Sequence, residues 1–302
     1  MSRPPTFVPP ACATARTLRT ARGDFAVLDA VPAAGVRCRG TVLLVPGFTG
    51  SKEDFIALLE PLADAGYRAV SVDGRGQYET AGPDDESAYA QAELARDVLA
   101  QADALAKAPE ATEPHDAAPS LRRHLLGHSL GGQIARAAAL LEPGAFATLT
   151  LMSSGPAAIA PAQRERAAML ADALKVLSMD EVWQAMRAME PPPPQDVETG
   201  AGEGGLDEAL RARWLLHSPA QLIATGRQLS TEPDRVADLA ALPLPKHVVS
   251  GERDDTWPVP LLDEMAECLH AHRTVIHGAE HSPNTDRPTE TAAALIDFWD
   301  RH

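Results

Sequence analysis

Cysteine is scarce in this 302-residue chain: Cys12, Cys38 and Cys268 are too few and too scattered for a disulfide framework, and none forms a CxxC pair. A reducing, cytoplasmic setting is therefore expected. Positive charge is short as well, with 27 Lys and Arg against 42 Asp and Glu, a formal net charge of −15. Such a surface repels phosphate backbones and anionic lipid headgroups, so neither nucleic acid nor a membrane is an expected partner. No apolar run approaches the roughly 20 residues a membrane-spanning helix needs. Residues 1–15, rich in Pro and Ala, lack the apolar stretch of a secretion signal and read as a flexible tail. No G-x-G-x-x-G follows a strand, and no His/Cys/carboxylate cluster has metal spacing, so neither a dinucleotide nor a metal is expected. Internal repeats are missing too.

What remains has the balance of a compact protein, 45% hydrophobic and 23% charged. Alternating runs at 17–20 and 25–30 suggest an opening pair of strands. The run 41–45, without a polar residue after Thr41, fits a strand covered on both faces. Ser51 then stands where it would cap a helix carrying Phe55, Leu58, Leu59 and Leu62, closed by Gly66. Further strands are expected at 68–72, 124–126, 147–152, 246–250 and 273–277. Helices are expected at 86–107, 130–141, 260–269 and 289–299, with a Pro/Ala/Glu-rich loop over 108–120. Strand and helix alternate, which predicts an α/β fold with a doubly wound, mostly parallel sheet.

That rhythm breaks between residues 156 and 230, where only helical patterns occur, at 162–177 and 179–189. Pro191 to Pro194 and the glycines between 200 and 205 interrupt them. The pattern predicts an inserted helical cap, with the Pro and Gly runs serving either as a hinge or as a surface loop. The expected division is a tail over 1–15, a core over 16–155 and 231–302, and a cap over 156–230.

Chemistry concentrates at Gly127-His128-Ser129-Leu130-Gly131-Gly132, between an apolar strand and a helix. It has the form of a nucleophile elbow, in which the serine sits on a strained turn and larger residues at the glycine positions would collide with neighbouring backbone. The alternative, a phosphate-binding glycine turn, lacks the Gly-Lys-Ser/Thr ending of that motif. With this elbow the chain resembles the α/β-hydrolase superfamily over nearly its whole length.

The resemblance implies an oxyanion hole from two backbone amides, mapping onto Leu130, after the serine, and Phe48, within Pro46-Gly47-Phe48-Thr49-Gly50. Many relatives have histidine where Pro46 stands, so any side-chain role of that histidine is absent here. A serine hydroxyl needs a base and a carboxylate to orient it, both following the nucleophile with the acid first. Among ten histidines, His281 lies beyond the last expected strand in a His-Ser-Pro loop similar to the family's. The acid loop Gly251-Glu252-Arg253-Asp254-Asp255 is similar to the family's G-x-x-D pattern, which selects Asp254 and leaves Asp255 as its rival. His128, in the elbow, is expected to pack beneath the nucleophile. Asp73-Gly74-Arg75-Gly76-Gln77 resembles the family's D-x-R-G turn, in which an Asp–Arg pair either fixes a loop near the site mouth or contacts substrate. Trp183, Trp214 and Trp257 are candidates either for a pocket wall or for plain core packing.

The resemblance therefore implies a cofactor-free serine hydrolase acting on a small, partly hydrophobic molecule, an ester being the leading case. Amide, thioester and carbon–carbon bond cleavage use the same triad, and a non-catalytic binding protein is the rival from another class. Epoxide and haloalkane hydrolysis are disfavoured, because those relatives carry aspartate where Ser129 stands. Apolar residues in the expected cap, Met169, Leu170, Leu174, Leu177 and Met186, fit either a hydrophobic pocket or cap packing. No motif sets the oligomeric state.

Overall fold

The computed structural model describes residues 3–107, 122–189 and 203–302. The chain opens with β1 (Ala13–Thr20), β2 (Gly23–Ala30) and β3 (Gly40–Val45), followed by a 3-10 turn over Lys52–Phe55 and α1 (Ile56–Asp64). Next come β4 (Tyr67–Val72), a second 3-10 turn over Glu86–Tyr89, α2 (Gln91–Lys107), β5 (Arg122–His128), α3 (Leu130–Leu141) and β6 (Thr148–Met152). Among the described residues, five helices stand between β6 and the next strand: α4 (Pro161–Leu174), α5 (Met179–Met189), α6 (Glu203–Leu216), α7 (Pro219–Thr231) and α8 (Val236–Ala240). The chain closes with β7 (Lys246–Gly251), α9 (Val259–Leu269), β8 (His272–Ile276), α10 (Pro283–Asp286) and α11 (Pro288–Trp299). The loop expected over 108–120 and the proline run Pro191 to Pro194 of the expected hinge lie outside the described residues.

The eight strands of the described residues join one sheet in the order β1-β2-β4-β3-β5-β6-β7-β8. β1 and β2 run antiparallel to each other, and β2 runs antiparallel to β4. Every pairing from β4 to β8 is parallel. The doubly wound, mostly parallel sheet expected from the alternating pattern is what the chain forms. Successive strand side chains point to opposite faces, and here both faces are covered. Leu43, Val45 and Val70 pack with α2, α3 and α9 on one side. Val42, Leu44 and Ala69 pack with α1 and α11 on the other. That double burial is why 41–45 reads as an unbroken apolar run. A third cluster, with Leu174, Val182, Trp183, Leu210 and Trp214, belongs to the helices inserted after β6.

Several local details depart from expectation. β1 starts at Ala13, earlier than the alternation suggested, because the full register pairs Ala13 with Ala30. Phe7, inside the segment expected as a tail, packs against the third cluster. Ser51 makes no side-chain cap; its hydroxyl donates instead to Glu53 Oε2 at 2.6 Å, and a 3-10 turn precedes α1. The ends of the inserted segment are gathered by one buried cation. Arg136 of α3 donates to Pro156 O at 2.6 Å and pairs with Glu232 at 2.5 Å.

Candidate active site

β5, β7 and β8 are parallel, so their carboxyl ends open on one edge of the sheet, and each delivers one of the three expected side chains there. β5 ends at His128, and Ser129 turns sharply into α3 with φ 54° and ψ −119°. A non-glycine residue in that region is strained, and the surroundings hold it there. The Ser129 amide donates to Met152 O at 2.9 Å, while the Gly132 amide donates to Ser129 O at 2.9 Å. The flanking glycines are dictated by space. A Cβ at Gly127 would stand 2.1 Å from Gly131 O, one at Gly131 would stand 2.2 Å from Val45 O, and one at Gly132 would meet Ser154 Cβ at 2.4 Å.

The loops after β7 and β8 are pressed together in the same way. A Cβ at Gly251 would lie 2.1 Å from Glu280 O, and the Glu252 amide donates to Ala279 O at 2.9 Å. This contact carries Asp254 to His281. Asp254 Oδ1 accepts the amides of Thr256 at 2.8 Å and Trp257 at 3.1 Å. Both of its oxygens lie 2.9 Å from His281 Nδ1, whose N–H donates to them. Ser129 Oγ stands 3.1 Å from His281 Nε2 and donates its hydroxyl proton to it. The structure thus brings Ser129, His281 and Asp254 together. The Asp254 side chain is 0% exposed. Asp255 turns away: its carboxylate is 70% exposed, accepts from Gln163 at 2.6 Å and faces Arg166.

His128 packs beneath this row. Its Nε2–H donates to His281 O at 2.8 Å, and burial pushes its pKa down to about 4, so it is a neutral support for the His281 backbone. Of the other histidines, His247 is buried in the sheet, and His270 and His277 are exposed.

The Pro46 to Gly50 turn runs past Ser129: a Cβ at Gly47 would lie 3.3 Å from Ser129 Cβ. Gln77 holds the turn by donating to Gly47 O at 2.8 Å. Among the described residues no hydrogen bond engages the amide of Phe48. The amide of Leu130, at the first position of α3, has no acceptor within its own helix. The Phe48 ring reaches away, into the inserted helices, where a Cβ on Gly226 would meet its Cζ at 3.2 Å.

The Asp–Arg pair expected within Asp73-Gly74-Arg75-Gly76 does not form. Asp73 accepts the Lys52 amide at 2.7 Å and its Nζ at 2.8 Å, all buried. Arg75 instead forks onto Asp97 of α2 at 2.7 and 2.6 Å. Each partner is more than twenty residues away in sequence. Nothing local in the sequence marks Gln77, Lys52 or Asp97 for these roles; only the turn's proximity to the elbow was legible.

A cleft of about 1070 Å³ opens over Ser129 and His281. One wall is apolar, with Phe48, Leu170, Met186 and Trp214; the rim carries Gln163, Arg166, Asp255 and Asp286. Of the three tryptophans considered for a pocket wall, Trp214 reaches this one. Trp183 packs within the helical cluster, and Trp257 is buried beside the acid loop with its Nε1–H donating to Ala157 O at 2.9 Å. Among the described residues no group of His, Cys, Asp or Glu is arranged to hold a metal ion, and no helix is long and apolar enough to cross a membrane.

Comparison with known proteins agrees with this architecture. Residues 42–294 match the alpha/beta hydrolase family, and the chain belongs to it. The protein is accordingly a hydrolase. It is 35% identical over 113 residues to a protein of Variovorax paradoxus named as a carbamate hydrolase, RutD, a match covering 37% of each chain. It is 29% identical over 253 residues to the pimeloyl-acyl-carrier-protein methyl ester esterase of Edwardsiella ictaluri, covering 80% of this chain and 86% of that one. Among solved structures, a hydrolase from Pseudomonas aeruginosa superposes with a TM-score of 0.69 at 23% identity, over 94% of this chain and 98% of that one. A thermophilic esterase from Thermogutta terrifontis gives a TM-score of 0.70 at 21% identity, over 96% and 99%.

Proposed function

We propose that the protein is a serine esterase that cleaves a small, partly hydrophobic ester through an acyl-enzyme. The observation that carries this reading is the unbroken row from Asp254 through His281 to Ser129 Oγ, with links of 2.9 and 3.1 Å, at the floor of an open cleft. Ser129 Oγ attacks the acyl carbon while its proton passes to His281 Nε2. The amides of Phe48 and Leu130 receive the developing oxyanion, and removing one such donor typically costs about 10²–10³ in kcat. Asp254 keeps the Nδ1 proton in place and stabilises the imidazolium. The imidazolium then protonates the departing alcohol. Water, deprotonated by the same nitrogen, attacks the acyl-Ser129 carbonyl, and the acid leaves as Ser129 regains its proton.

The helices within 156–230 act in this reading as a cap that shapes the substrate. Their apolar wall of Leu170, Met186 and Trp214 suits an acyl or alkyl chain, with the reacting ester at the polar floor. The esterase-named relatives support ester cleavage over amide, thioester or carbon–carbon chemistry. Three free cysteines support a cytoplasmic location. A panel of p-nitrophenyl esters, with matched anilide and thioester substrates, tests the reading. Ester turnover that vanishes in Ser129→Ala is expected; a Ser129→Ala variant as active as the parent overturns it.

A further inference from the structure

The turn that carries Phe48 is held from behind by the last part of α6 and the residue after it. Arg213 Nη1 donates to Asp54 Oδ1 at 2.7 Å, with both side chains wholly buried. His217, four residues on, spans two carbonyls: Nδ1 lies 2.9 Å from Arg213 O, and Nε2 lies 3.1 Å from Gly50 O. Asp54 in turn lies flat against Gly50, where a Cβ would approach its Oδ2 to 2.3 Å. The Gly50 amide closes the turn onto Gly47 O at 3.2 Å, and Gly47 abuts Ser129. An uninterrupted line of contacts therefore runs from α6 to the nucleophile through the backbone between them.

We propose that His217 and Arg213 are positioning residues for the oxyanion turn, with His217 Nε2–H donating to Gly50 O and Arg213 fixing Asp54 beneath it, so that the Phe48 amide faces the oxygen bound at Ser129. The proposal rests on the serine-esterase reading. A neutral imidazole has a single N–H and satisfies one of its two carbonyls. Donation to Gly50 serves the turn, because that carbonyl belongs to the residue whose amide closes it. Neither residue lines the cleft, so neither touches substrate. Their effect is confined to the state in which the carbonyl oxygen carries charge, and interactions made only there act on kcat rather than KM.

The test compares His217→Phe, which keeps the ring volume and removes both polar contacts, with His217→Gln, whose amide N–H can reach Gly50 O. Assays use p-nitrophenyl butyrate, together with inhibition by an aryl trifluoromethyl ketone, whose hemiketal at Ser129 carries the same oxyanion. The expected result is a kcat lower by about 10- to 100-fold in His217→Phe, with KM within about threefold. Ketone affinity should fall in step, and His217→Gln should recover most of both losses. Should His217→Phe not fold, His217→Asn, too short to bridge to Gly50, reads the same contact. A folded His217→Phe or His217→Asn protein with kcat and ketone affinity within twofold of the parent overturns the proposal. Ser129→Ala, run alongside, separates the two claims: if it retains turnover the underlying reading fails, and if it is inactive while the His217 variants are unimpaired, only the positioning role fails.

Discussion

Replacing Asp254 by asparagine should cripple the enzyme by giving His281 the wrong tautomer. Asp254 Oδ1 accepts two backbone amides, from Thr256 and Trp257, so an asparagine at this position must leave its oxygen there. Its NH2 group then occupies the place of Oδ2, 2.9 Å from His281 Nδ1. The NH2 group and the Nδ1–H then face each other as two donors, and the retained oxygen, already shared by two amides, is a poorer acceptor, so the balance shifts toward the ring with its proton on Nε2. In that form Nε2 can no longer accept the Ser129 proton. The loss expected in kcat is about 10³–10⁴-fold, equivalent to about 4–5.5 kcal/mol of barrier. Asp255→Asn is the matched control, since its carboxylate is solvent-exposed and turned toward Gln163. It should stay within about threefold of the parent. The assay is initial-rate turnover of p-nitrophenyl butyrate with both variants checked for folding by circular dichroism. The reasoning fails if Asp254→Asn remains within tenfold of the parent, or if Asp255→Asn is the more damaging change.

Acid should unfold the protein earlier than its many carboxylates alone would. Burial lowers the pKa of His124, His128 and His217 to about 4 and that of His247 to about 3, against 6.5 for a free imidazole. Between those values the unfolded chain binds protons that the folded chain refuses, so stability falls as pH drops below 6.5, and these four groups contribute a slope of up to about 5 kcal/mol per pH unit. Denaturant midpoints measured from pH 7 to 5 should fall steeply, and a flat profile contradicts the burial argument. Gly131→Ala should destabilise by about 3 kcal/mol or more, because its Cβ would sit 2.2 Å from Val45 O, a backbone atom that cannot step aside. Gly205→Ala, in α6 with open space around its Cβ, should instead be neutral or up to about 1 kcal/mol stabilising; urea unfolding of the pair checks both. Met186→Trp should narrow the cleft and move the preferred ester toward shorter chains. Each methylene excluded from the apolar wall costs about 0.8 kcal/mol, about fourfold in kcat/KM, and an unchanged chain-length profile would place the acyl group elsewhere.

The parts of this molecule legible in the sequence are those whose cause is local. Glycine at 127 and 131 answers to backbone only a few ångströms away, and the strand-to-helix setting around Ser129 is contiguous in sequence. The doubly buried strand at 41–45 also announces itself, since its two faces meet separate apolar layers. Resemblance to a family loop supplied Asp254 and His281; residue type alone left Asp255 open, and the choice turned on the two amides that fold the loop around one carboxylate. What the sequence hid depends on partners far along the chain. Asp73 and Arg75 looked like a pair but found Lys52 and Asp97. Asp54 meets Arg213 across 159 positions. No periodicity encodes such pairings, because they are set by how elements far apart in sequence come to rest on one another.

The most direct measurement is covalent. Folded protein treated with a fluorophosphonate and digested for mass spectrometry should carry one phosphonyl group, on the peptide containing Ser129, formed as the serine oxygen displaces fluoride. Labelling should disappear in Ser129→Ala and slow sharply in His281→Ala. An unlabelled Ser129 in folded, ester-hydrolysing protein, or an adduct on a different residue that tracks the activity, would contradict the assignment of this serine as the nucleophile.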